Sequence, residues 1–147
     1  MFVRMDHVGV VAHSIDEAQA VLGDALGLVI DKDRSQWPKG SYFAPEQTHN
    51  FFFRVGEGET VVEVLVPTPD ATSGVARYLA KRGASMHHIC YACLDVHDEA
   101  ERLRAAGLEE IALPRAEDGR RTVAFFHPRS TNGILTELVP ARDRPRT

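Results

Sequence analysis

Two cysteines in 147 residues are too few to frame a disulfide-stapled fold, which fits a reducing compartment. Lysine and arginine number 17 against 21 acids and are scattered, so the basic footprint of a nucleic-acid binder is missing and a small molecule is the expected partner. No run approaches the roughly 20 apolar residues of a membrane span. The opening "MFVRMDHVGVV" has neither a charged leader with a long apolar core nor a small-residue cleavage site. The expected location is the cytoplasm, with no membrane partner. What is present is ordinary: 44% hydrophobic and 26% charged residues, the composition of a globular protein, at a length that suits one domain over 1–147.

The cysteines stand three apart in "SMHHICYACLDV", residues 85 to 96. Their neighbours alternate as a strand does, so Cys90 and Cys93 point to opposite faces and do not pair on one metal or in one redox couple. His88 and Cys90 share a face, and His87 faces away from them.

An internal repeat organises the chain. "DHVGVVAHSIDEAQAVLGDALGL" (6–28) and "HHICYACLDVHDEAERLRAAGL" (87–108) each run from a histidine at a strand head, through a polar turn, along an amphipathic helix to Gly-Leu. Ser14 and Asp95 are the expected N-caps, Gly27 and Gly107 the helix stops. "VVEVLVP" (61–67) and "ILTELVP" (134–140) close the two halves as apolar strands, each broken by one glutamate. Two further strands per half are expected near 27–32 and 50–55, and near 108–113 and 122–127. The reading is α+β: two βαβββ modules in tandem, about 3–67 and 85–140, their sheets closing around a cleft. A linker helix over about 72–82 presents Val75, Tyr78 and Leu79 on one face. Residues 33–49 form a long loop of the kind that serves as a lid. The basic tail "ARDRPRT" is expected to fray.

Burying an isolated carboxylate is so costly that it protonates, pairs or binds a metal, and Glu63 in "TVVEVLV" and Glu137 in "GILTELV" both pose that problem. They occupy equivalent places in the repeat, as do His7 and His88. If the repeat is structural, a pseudo-two-fold axis gathers His7, Glu63, His88 and Glu137 as two nitrogens and two carboxylates, a set that suits a divalent first-row metal. His13, His49 and His97 fall in turns or loops, and His127 near a strand end.

These features resemble the vicinal oxygen chelate (glyoxalase/bleomycin resistance/dioxygenase) superfamily and, within it, the methylmalonyl-CoA epimerases. The likeness runs from "DHVGVV" to "TELV" and is most specific in "VEVLVPT", "VARYLAKRGASMHHI" and "VAFFHPRSTNGILTELV". It implies a divalent metal ion (Co, Ni, Mn, Zn or Fe) on His7, Glu63, His88 and Glu137, and a homodimer. It also implies an isomerase that epimerises an acyl-CoA thioester by removing and returning an alpha proton. Glu137 is then the favoured base and Glu63 the next. The family's second acid belongs on the third strand of the first module, where this chain reads "NFFFRV" with no acid. Glu46, Glu57 or His49 replaces it, or the chain runs another reaction of the superfamily, a glyoxalase I-like lyase or an iron dioxygenase, or binds a small molecule without turnover. Basic residues in "KRG" (81–83), Arg121 and "HPR" (127–129) are candidates to grip the CoA phosphates.

Overall fold

The computed structural model describes residues 1–142 and is a mixed α+β fold in which strands outnumber helices. Of the tail expected to fray, 141 and 142 carry no regular structure and 143–147 lie outside the described residues. The chain divides into two compact units, one of residues Val8–His87 and one joining Met1–His7 to the chain from His88 onward. These units are not the two tandem modules, because strand β1 (Phe2–Val11) begins in one and ends in the other.

Within the unit Val8–His87, Ser14 caps the first helix as expected, its side chain accepting from the Glu17 amide. That helix, α1 (Ile15–Ala18), continues as a π-helix over Gln19–Ala25, where an unbroken α-helix was expected. The Gln19 side-chain Nε2 donates to Asp24 Oδ1 five residues on, the spacing a π turn brings onto one face. Gly27, at φ 76°, supplies the left-handed residue that stops it. Strands β2 (Val29–Ile30), β3 (Ser41–Phe43), β4 (Thr48–Arg54) and β5 (Val61–Pro67) follow; β3 was not foreseen.

The strands lie in the order β2-β4-β5-β1, with β3 also on β4. β2 meets β4 at Phe53 and Arg54 and β3 meets it at Thr48 to Asn50, so the two lie end to end along one edge, with residues 31–40 hung between them. Period-two alternation sends Phe51 and Phe53 into a core with Ala12, Ala18 and Val64 and leaves Phe52 on the other face, directly across from Glu63. Phe53 is fully buried, and its truncation to alanine would cost about 3–5 kcal/mol. Helix α2 (Gly74–Arg82), capped by Ser73, seats Val75 and Leu79 on Val11 and Leu65.

The other unit follows the expected βαβββ order: β6 (Ser85–Cys93, whose first three residues belong to the unit already described), α3 (Val96–Ala105), β7 (Glu110–Ile111), β8 (Ala124–Phe126) and β9 (Thr136–Pro140). Its strands run β1-β6-β9-β8-β7, with β6 and β9 parallel. Asp95 caps α3 through the Asp98 amide, and Gly107 sits at φ 92° beyond it. Leu103 and Ala100 of α3 pack on Cys93, Phe126 and Leu138. Among the described residues no helix is long and apolar enough to cross a membrane.

Candidate metal centre

Register decides which side chains meet. In the parallel pair β6–β9, Cys90 is partnered with Glu137, so His88, two residues before Cys90, shares that face with both. Tyr91 and Leu138, one step on, face the α3 core instead. Phe125 of β8 is partnered with Glu137 and sets its ring edge-on to His88, centroids 6.1 Å apart. His7 arrives from β1, and the three polar groups close a triangle. His7 Nε2 lies 3.0 Å from His88 Nε2 and 3.0 Å from Glu137 Oε2, and His88 Nε2 lies 2.9 Å from the same oxygen.

Asp6 orients one corner. Its Oδ2 lies 2.9 Å from His7 Nδ1 and accepts that nitrogen's proton, which leaves Nε2 as the nitrogen that donates to Glu137 when protonated and could turn a lone pair to a cation when not. Arg4 stands 3.8 Å from the other Asp6 oxygen. Three atoms able to ligate a cation thus converge in a buried place, His7 and His88 each 3% exposed, and a divalent cation could take the place that protons hold between them in its absence. The spacing fits one. Donors about 2.1 Å from a first-row metal stand about 3.0 Å apart at right angles and about 3.4 Å apart at the tetrahedral angle, so the triangle has the size of an octahedral face.

Burial raises the Glu137 carboxyl, but its hydrogen bonds to His7 and His88 and their charges outweigh that effect and hold it below the usual carboxylate range. Cys90 Sγ lies within 4.8 Å of an Asp6 oxygen and a His7 nitrogen. Burial foremost pushes its thiol up to about 12, so it remains protonated and is a poor ligand.

Glu63 belongs to the unit Val8–His87. It is 8% exposed, and its Oε1 accepts from Asn50 Nδ2 at 3.1 Å, while Asn50 Oδ1 accepts from Thr48 at 2.7 Å. His87 turns away from His88 and sets its ring edge-on to Tyr78 at 4.9 Å. His49 faces the Phe51 side of β4, opposite to Glu63. Glu57 is exposed in the β4–β5 hairpin, and Glu46 is half-buried in the turn before β4.

The arginines divide. Arg121, a candidate phosphate grip, is committed elsewhere. It forks onto Glu110 at 2.6 and 2.7 Å, reaches Glu101 at 2.8 Å, and its side chain is 2% exposed. Arg129 of "HPR" pairs with Glu109, and Arg82 lies over Tyr78. Asp6, Asn50 and Thr48 were not anticipated. The signal for Asp6 was its charge at the head of a buried strand.

The fold and this cluster define a known class. Residues 6–125 match the family model described as the Glyoxalase/Bleomycin resistance protein/Dioxygenase superfamily, and the chain belongs to that superfamily. It is 31% identical to the uncharacterized protein YqjC of Bacillus subtilis over 137 residues, covering 92% of this chain and 90% of that one. It is 28% identical to the ethylmalonyl-CoA/methylmalonyl-CoA epimerase of Cereibacter sphaeroides over 141 residues, covering 94% and 98%. The structure of methylmalonyl-CoA epimerase from Mycobacterium tuberculosis shares the fold, with a TM-score of 0.77 at 23% identity over 96% of this chain and 90% of that one.

Proposed function

We propose that the protein is a metal-dependent isomerase that epimerises a methylmalonyl-CoA-like acyl-CoA thioester. The observation that carries this reading is the triangle of His7, His88 and Glu137 with 2.9–3.0 Å edges; the epimerase relatives support the choice of substrate class. His7, His88 and Glu137 are the ligands it assigns directly. Glu63 is the fourth, as the repeat equivalent of Glu137 and a buried carboxylate already oriented by Asn50. When bound, a divalent ion supplies the positive charge that stabilises negative charge developing on the thioester oxygen.

The proton chemistry belongs to the chain. Glu137, held ionised at neutral pH, is in the form a general base requires and takes the alpha proton, and the carbon–hydrogen electron pair spreads onto the thioester oxygen. Reprotonation of the opposite face needs a second acid. His49 points to the wrong side of β4 and Glu57 stands exposed in a hairpin turn, which leaves Glu46 of the three candidates.

The test is proton exchange. In deuterated water the metal-loaded protein should wash deuterium into the alpha carbon of methylmalonyl-CoA and interconvert its configurations, and E46Q should slow inversion by roughly 10²- to 10⁴-fold with metal content unchanged. Absence of exchange, with turnover of methylglyoxal plus a thiol, would replace this reading by the glyoxalase I-like lyase, which the Glu63 position also suits.

A further inference from the structure

The base assigned above has an apolar neighbour on its own face of the sheet. Phe125 of β8 is registered directly across from Glu137 of β9, and side chains opposed in this way have Cβ atoms about 4.5–5.5 Å apart. The Phe125 ring also meets His88 edge-on, with centroids 6.1 Å apart. Ile111 of β7 is registered across from Phe125 and backs it from the outer side, and Val139 lies two residues beyond Glu137 on the same face. The strand that carries the ring is fixed. Ala124 and Phe126, on either side of Phe125, are 1% and 0% exposed in the core against α3. Phe125, Ile111 and Val139 stay half-buried. A half-exposed sheet face ordinarily turns polar side chains outward, so apolar ones around an ionised carboxylate call for a ligand with an apolar group.

We propose that Phe125 measures the substrate's alkyl branch: the side group on the carbon that loses its proton rests against the Phe125 ring, with Ile111 behind it, and the ring limits that group to a short one. The assignment rests on the epimerase reading. A base must come within about 3 Å of the proton it takes, so the alpha carbon stands next to Glu137 when the proton leaves. His7 and His88 are polar and turned to the Glu137 carboxylate, and the thioester oxygen belongs on their side. Cys90, registered across from Glu137 on β6, is fully buried and offers no room. The Phe125 side is then the place for a group that takes no part in the proton transfer. A ring held on a rigid strand does not retreat, so each methylene added against it must displace packed atoms.

The deciding experiment follows alpha-proton exchange in deuterated water by the metal-loaded protein on methyl-, ethyl- and propylmalonyl-CoA, with cobalt affinity measured alongside. In the parent, kcat/KM should fall by roughly 10-fold or more for each added methylene, the worth of such a step in an apolar pocket. F125A should raise the propyl-to-methyl ratio by roughly 10-fold or more, F125L should fall between it and the parent, and F125W should lower the ratio, all with cobalt affinity unchanged. A parent indifferent to branch length, a ratio that none of the variants moves, or an equal loss on every thioester overturns the role of Phe125 while leaving the epimerase reading intact. Should F125A fail to fold or to bind cobalt, F125L and F125W decide between the same outcomes. A parent that exchanges no proton on any of these thioesters overturns the epimerase reading, and Phe125's role falls with it.

Discussion

Asp6 Oδ2 lies 2.9 Å from His7 Nδ1, so an acid hydrogen-bonds the imidazole of its own chain neighbour and aims that imidazole's other nitrogen at His88 and Glu137. Such outer partners fix the tautomer and raise the basicity of a metal-binding histidine. D6N should weaken cobalt binding by roughly 10- to 100-fold, read from the visible spectrum of the cobalt protein. Unchanged affinity would show that Asp6 serves only the strand.

Glu137 gives the acid limb of stability. Its folded value lies below the ordinary 4.5, so its contribution is fully present above that ordinary value and lost as pH falls through the lower folded one. In metal-free protein, urea unfolding from roughly pH 7 to roughly pH 3 should show a shallower acid decline for E137Q than for the parent. Parallel curves would mean that the carboxylate gains nothing from the two histidines.

Cys90 and Cys93 are each fully buried and face opposite sides of β6, Cys90 toward His7 and Cys93 toward the α3 core. With the Cys90 thiol pushed up to about 12, native protein at neutral pH should not react with a disulfide reagent, and both thiols should react once it is unfolded. Rapid labelling of the native state would restore a redox role for the pair.

Arg121 ties Glu110 and Glu101 together with its guanidinium out of water, and removing one partner of a buried ion pair typically costs about 3–5 kcal/mol. R121M should therefore lower the urea midpoint sharply while leaving cobalt affinity per folded molecule as it was. A selective loss of CoA-thioester affinity with normal stability would instead return Arg121 to the phosphate-binding role.

The repeat made the βαβββ order of the second half, the caps at Ser14 and Asp95, and the meeting of His7, His88 and Glu137 legible, because each depends on periodicity and on the cost of burying charge. Asp6 escaped that logic, since adjacent strand residues point apart and only the reach of its side chain brings it to His7. Asn50 and Thr48 were hidden because neutral polar side chains on a strand carry no charge penalty to flag them. All three consecutive phenylalanines are buried, and alternation sends Phe51 and Phe53 into one core and Phe52 to the other face.

The edge of β4 has a consequence for how the protein behaves in company. It is covered by a two-residue strand and a three-residue strand separated by a ten-residue turn segment, instead of one long neighbour. A continuous outer strand would offer an unbroken ladder of amides and carbonyls on which another chain could add and begin to aggregate. Two fragments this short offer no such template. An insertion or deletion within 31–40 would therefore leave the ladder between β4 and β5 paired, so this rim limits fibril growth and tolerates changes of length at the same place.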